Sequence, residues 1–191
     1  APDGTLSEGS WEPATLDDGA EADDLPHLSG QRILVVDDEQ DTRAFLGTLL
    51  QSQGAKAFVM APQDTAAIAP QLAQLESAKI PVVSIDTRPD TGNVYMVVRA
   101  DNKAYGEKAC EFLGDKLGGK GSVVMLEGDT ASINGRDRTD AFNACMKSKF
   151  PNIKVHGEPS KWDGPTAASQ LQTVLTQDKD VRGVYMEASF A

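Results

Sequence analysis

From residue 32 onward, short apolar runs alternate with longer stretches in which apolar residues recur every three or four positions. Ile33-Leu34-Val35-Val36 is β-branched and unbroken, as expected of a parallel strand covered on both faces. The run stops at Asp37-Asp38-Glu39, and Asp41 or Thr42 can cap a helix through Leu50, with Phe45, Leu46, Leu49 and Leu50 facing inward and Gly54 as its stop. Residues 57–61 read as a second strand and 65–77 as a helix burying Ala67, Ile68, Leu72 and Leu75. Residues 80–85 and 94–98 follow as strands, and Ala100-Asp101-Asn102 offers a cap and a crossover before a helix over 103–117. Past the break at Gly118-Gly119-Lys120-Gly121, the pattern predicts a strand at 122–126, a polar loop over 128–134 and a helix at 136–150. A strand at 153–156, a helix at 164–177 and a strand at 181–186 complete it. Such alternation predicts an α/β fold, a three-layer α/β/α parallel sheet with right-handed crossovers.

Charge separates the first 30 residues from the rest. They hold eight carboxylates and no Lys or Arg, out of a net −11 for the 191-residue chain, with Leu6, Trp11, Leu16, Leu25 and Leu28 as scattered large apolar residues. That composition predicts an acidic disordered linker over 1–30. Trp11 is either solvated or docked on the body. The remaining chain divides into a first lobe, 31–100, and a second, 101–191. With 40% hydrophobic residues it can bury a core. Net acidity disfavours nucleic acid and anionic membranes as partners. No apolar run approaches a membrane span, and no basic and then apolar leader opens the chain.

The strongest site signal is Ile80-Pro81-Val82-Val83-Ser84-Ile85-Asp86, where an apolar run ends at a carboxylate followed by Thr87-Arg88-Pro89-Asp90. Ligands of open α/β sheets collect outside the carboxyl ends of strands, which makes Asp86 a candidate ligand group. The alternative is an Asx cap on its own turn. His27, His156 and the two cysteines show no zinc spacing. There is no nucleophile elbow, P-loop or dinucleotide fingerprint. No metal, no cofactor and no enzymatic activity are therefore expected.

Two resemblances then become visible. Residues 28–55, LSGQRILVVDDEQDTRAFLGTLLQSQGA, resemble the opening βα unit of a response-regulator receiver domain. In that family, paired acids such as Asp37 and Asp38 help hold magnesium beside a phosphorylatable aspartate, here Asp86, so the resemblance implies a receiver-like phosphoacceptor. No Lys-Pro follows Asp86, which departs from that family's pattern. Residues 57–191, with SIDTRPD, RADNKAYGEKA, NGRDRTDAF and VRGVYMEASF in order, resemble a type I periplasmic sugar-binding protein of the ribose-binding kind. Together these imply a chimera-like chain: a periplasmic-binding-protein-like I fold whose first βα unit (31–55) is flavodoxin-like and joined to 57–100, with the second lobe incomplete.

The sugar-binding resemblance implies monosaccharide capture of the ABC-transporter solute-binding type, in the periplasm or outside the cell, with a small sugar as partner. Asp86 would accept sugar hydroxyls, Arg138 would donate to them, and Trp162 would stack on the ring. Arg88 stands where it could substitute for the arginine that family often places at Thr87. Glu187, Ala188 and Ser189 replace a pattern that usually contains asparagine. The alternatives are an Arg138 ion pair with Asp137 or Asp140, and a core or lobe-edge Trp162. A further alternative is a structural chimera with no ligand. Missing pocket walls would make binding weak, and an exposed sheet edge would be open to pairing with a second copy. Because the resemblance is to secreted proteins, Cys110 and Cys145 on helices flanking the 122–126 strand are candidates for a disulfide, with two buried free thiols as the alternative.

Overall fold

The alternation resolves into two parallel sheets, each with its own core. The computed structural model describes residues 33–36 and 57–188. The acidic 1–30 stretch, Trp11, Asp37, Asp38, the helix expected through Leu50, and Ser189 lie outside the described residues. In the first sheet, β1 (Ile33–Val36), β2 (Ala57–Met60), β3 (Val82–Ile85) and β4 (Met96–Val98) lie in chain order, with Val35 opposite Val59 and Val59 opposite Val83. Helix α1 (Ala69–Ser77) connects β2 to β3. Phe58 and Met60, two apart and thus on one face of β2, are buried with Ile68, Leu72, Leu75 and Val82.

The second sheet has the order β6-β5-β7, with β5 (Gly121–Glu127) between β6 (Ile153–Pro159) and β7 (Val181–Met186). Around it pack α2 (Asn102–Lys116), α3 (Ile133–Lys149) and α4 (Gly164–Gln177). The unbroken apolar run Val123-Val124-Met125-Leu126 is explained by burial on both faces. Val123 and Met125 pack with Cys110, Phe142, Cys145 and Met146 of α2 and α3, while Val124 and Leu126 pack with Ala167 and Val174 of α4. Neither core of the second sheet shares a residue with the first sheet's core.

Two helix starts differ from the sequence expectation, and both matter for the site. Helix α1 begins at Ala69 rather than 65 because Asp64 Oδ1 accepts from the N–H groups of Ala66 and Ala67, at 3.1 and 2.8 Å, and holds a separate turn. Pro70 sits in the first turn of α1, where its missing N–H costs nothing. Helix α3 begins at Ile133, three residues early, because Ser132 Oγ accepts from Asn134 N–H at 3.2 Å and caps it. Asn134, expected in a loop, is therefore helical.

Cys110 of α2 and Cys145 of α3 form a disulfide, with Cα atoms 6.1 Å apart. The same two helices approach closely at Gly106, where a Cβ would lie 2.4 Å from the Arg138 carbonyl oxygen.

At the far end of the second sheet, Asp178 accepts from the Asp180 N–H at 2.9 Å and from Ser122 Oγ at 2.9 Å, and it lies 2.7 Å from His156 Nε2. The Asp180 N–H first, then His156 and Ser122, hold its carboxyl well below the usual carboxylate range. A depressed folded-state value means this stabilisation is complete above the unfolded value of about 3.9 and is lost as pH falls through the folded one. The melting temperature of the parent should therefore exceed that of Asp178→Asn at neutral pH, with the gap narrowing below about pH 4. A gap that stays constant down to pH 2.5 would show that the carboxylate charge is not what ties these strands together.

Candidate functional site

Asp86 follows β3 in the left-handed backbone region, φ 63°, which aspartate tolerates better than most residues. Its N–H donates to Val98 O at 2.7 Å, and Ser84 Oγ donates to Thr87 O at 2.6 Å, so the strand end is held on both sides. The exposed carboxylate reaches across to the second sheet's helices: Asn134 Nδ2 donates to Asp86 Oδ2 at 2.9 Å and to its carbonyl at 3.3 Å. Asn134 Oδ1 in turn accepts from Asn102 Nδ2 at 2.9 Å and from Arg99 Nη2 at 3.2 Å. Asn102 Oδ1 accepts from Arg138 Nε at 2.7 Å, and Arg138 Nη1 donates to Glu187 O at 2.5 Å. One hydrogen-bonded chain thus joins Asp86, Asn134, Asn102, Arg138 and Glu187. Asn102 and Asn134 are buried, so each amide needs such partners.

Arg138 pairs with neither Asp137 nor Asp140; Asp137 is taken by Arg99 at 2.8 Å. Its guanidinium instead lies over the Tyr105 ring, 4.9 Å from the centroid, and 5.7 Å from that of Trp162. Trp162 follows β6 in a turn where it and Lys161 both have positive φ, 66° and 54°. Glu127 O accepts from the N–H groups of Ser160 and Lys161, at 2.9 and 3.2 Å, and fixes that turn. Gly128 makes room for the indole, since a Cβ there would sit 2.1 Å from the ring.

Glu187 closes the second end of the chain. It is 1% exposed, accepting from Gly128 N–H at 2.8 Å and from Thr139 Oγ1 at 2.5 Å. Burial pushes its carboxyl up, against the opposing pull of the bonds from Thr139 and Gly128.

The structure therefore gathers Asp86, Arg138 and Trp162 with Tyr105, Asn102, Asn134 and Glu187. Arg88 is exposed on the turn after β3 and forms no hydrogen bond or ion pair among the described residues. Sequence reasoning passed over Asn102, Asn134 and Tyr105. Asn102 reads as part of a cap and Asn134 as part of a loop, and the only signal was that Asn102 and Tyr105 stand three apart on one face of α2. No group of three or more His, Cys, Asp or Glu able to hold a metal ion occurs among the described residues. No helix among them is long and apolar enough to cross a membrane.

Comparison with known proteins bears on this geometry. The sequence profile of the family described as "Periplasmic binding protein domain" matches residues 36–191. The chain is 28% identical over 177 residues to the ribose import binding protein RbsB of Haemophilus influenzae, covering 91% of this chain and 59% of that protein. A solute-binding protein from Agrobacterium vitis, solved with α-D-tagatopyranose, superposes with a TM-score of 0.68 at 28% identity, over 76% of this chain and 52% of that one. A periplasmic solute-binding protein from Actinobacillus succinogenes with bound D-allose has the same fold, with a TM-score of 0.70 at 23% identity over 80% of this chain and 55% of that one. The chain spans less than two thirds of the length of these relatives.

Proposed function

The chain belongs to the periplasmic binding protein domain family, and from that membership we propose that it binds a monosaccharide as the solute-binding part of an ABC import system, in a periplasmic or extracellular setting. The observation that supports this reading best is the chain of planar polar groups from Asp86 to Arg138, flanked by the rings of Tyr105 and Trp162. Sugars present adjacent hydroxyls, which suit groups that accept or donate in pairs, and an apolar ring face, which suits an aromatic plane. The described residues of 31–100 and of 101–191 act in this reading as the two lobes. Asp86 Oδ1 and Arg138 Nη2 carry no hydrogen bond among the described residues, which leaves one acceptor and one donor for hydroxyls. Binding and release, rather than covalent chemistry, is the activity proposed.

The sheet order weighs against the receiver reading. Receiver folds place the first strand beside the third, whereas here β2 lies between β1 and β3.

A thermal-shift screen of pentoses and hexoses should find a stabilising sugar, and calorimetry should then give the effect of each anchor. A hydrogen bond to a charged group is worth roughly 1.5–3 kcal/mol, so Asp86→Ala and Arg138→Ala should each raise Kd by about 10- to 150-fold. Unchanged affinity in Asp86→Ala would place the sugar elsewhere. Phosphorylation of Asp86 by acetyl phosphate with magnesium would instead favour the receiver reading.

A further inference from the structure

Apart from the Asp86–Asn134 bond and the contacts of Arg99 with Asn134 and Asp137, a further polar bridge joins the two halves, and it is built differently. Arg136 of α3 is anchored on its own side: its Nη1 donates to Thr130 O at 2.7 Å and to Ala131 O at 3.2 Å. So held, its Nη2 reaches across to Asp90 Oδ1 at 2.6 Å and to Thr65 Oγ1 at 3.1 Å, both from loops of the first sheet. Thr65 is fully buried; its hydroxyl lies 3.0 Å from Asp90 Oδ1 and 3.2 Å from Ala131 O, and its own N–H donates to Ala131 O at 3.1 Å. Asp90 N–H donates to Thr65 O at 2.8 Å, tying the two first-sheet loops into one unit.

From this geometry we infer that Arg136, Asp90 and Thr65 form a latch that holds the two halves closed on each other and so tunes ligand affinity without touching the ligand. The inference rests on the reading of the halves as lobes that close over a sugar. Two features suit it to a reversible device. Among the described residues no hydrophobic cluster crosses the junction, so none of these cores must be broken to open it. The Arg136 and Asp90 side chains are also about one-third exposed, at 33% and 31%, so water can replace their bond when the halves part. The helical start at Ile133 and the turn at Asp64, both unlike the sequence expectation, are what bring Ala131 and Arg136 opposite Thr65. A partly exposed pair contributes modestly and is screened by salt. The expected effect is therefore a shift in the closed-to-open ratio rather than a loss of fold.

The test is a ligand-free distance measurement by pulsed electron resonance, with spin labels at Gln74→Cys on α1 and Gln172→Cys on α4 and the native disulfide intact. Asp90→Asn removes the charge at nearly constant shape and leaves the anchoring of Arg136 on Thr130 and Ala131 untouched. It should lower the closed-to-open ratio by about 1.5- to 5-fold, and 0.5 M salt should act likewise on the parent but add little to the variant. Arg136→Ala should open the halves further. Distance distributions unchanged in both variants would overturn the latch. So would opening in Arg136→Ala alone with no response to Asp90→Asn or salt, which would mark Arg136 as a support for its own loop. Because no sugar is present, a latch that opens as expected in a protein that binds no monosaccharide would sink the ligand reading and leave the latch standing.

Discussion

Reducing the Cys110–Cys145 disulfide should lower the free energy of unfolding by about 3–4 kcal/mol, the loss expected when a loop of this size is released in the unfolded chain. The two cysteines are 35 residues apart and enclose β5, so the bond restricts an unfolded segment that contains a central strand. In the folded state it joins α2 to α3 within a buried cluster that is apolar apart from the Tyr185 hydroxyl. These helices carry Asn102 and Tyr105 on one side and Asn134 and Arg138 on the other, so loosening them also loosens the polar chain. Urea unfolding with and without reductant, and of the double Cys110→Ala, Cys145→Ala variant, should show a lower midpoint in both cases. A loss under 1 kcal/mol by either route would mean that packing alone fixes the helix pair.

Every element of the second sheet was legible in the sequence, α4 and β7 to the residue, while β6 runs three residues further and α3 starts three residues earlier than expected. A strand buried on both faces reads as an unbroken apolar run, and Asp163 caps α4 through the Thr166 N–H at 2.8 Å beside a proline in the first turn, a start signal that survives any tertiary context. In the first sheet the strand ends were read long: β3 pairs from Val82 and β4 from Met96, since the sequence shows which residues are apolar and not where neighbouring backbones come into register.

Of the candidate site, Asp86 was singled out by its place at a strand end and Arg138 and Trp162 by resemblance, whereas the linkage among them was not legible. The linkage runs through Asn102 and Asn134, 32 residues apart, and a bond between them depends on how two helix starts face each other. Glu187 illustrates the same limit. In sequence it looked like a departure that weakens a pocket wall; in the structure it is a buried carboxylate satisfied by Gly128 and Thr139, with its backbone oxygen orienting Arg138. Burying such a group without those donors would cost several kcal/mol, about 2–7 for a neutral polar group and more for a charge. The replacement is thus tolerable only because the fold supplies both donors.

Phe142→Ala should cost about 3–5 kcal/mol, the largest single-residue effect expected here. Phe142 is wholly buried on α3 and lies stacked on Tyr185, centroids 4.4 Å apart with 19° between the planes. Its ring fills the space between α2, α3 and the second sheet, where Val123, Met125, Met146 and Ile153 also pack. The Tyr185 hydroxyl beside it is buried without a hydrogen-bond partner among the described residues. Tyr185 also lies 6.1 Å from Tyr105, the ring beneath Arg138, and two residues from Glu187. Packing lost at Phe142 therefore reaches the proposed site through Tyr185, and sugar affinity should fall along with stability. Urea unfolding and calorimetry on Phe142→Ala and the milder Phe142→Leu should show the two losses rising together. Full stability loss with unchanged affinity would separate the core from the site and remove Tyr185 as the link between them.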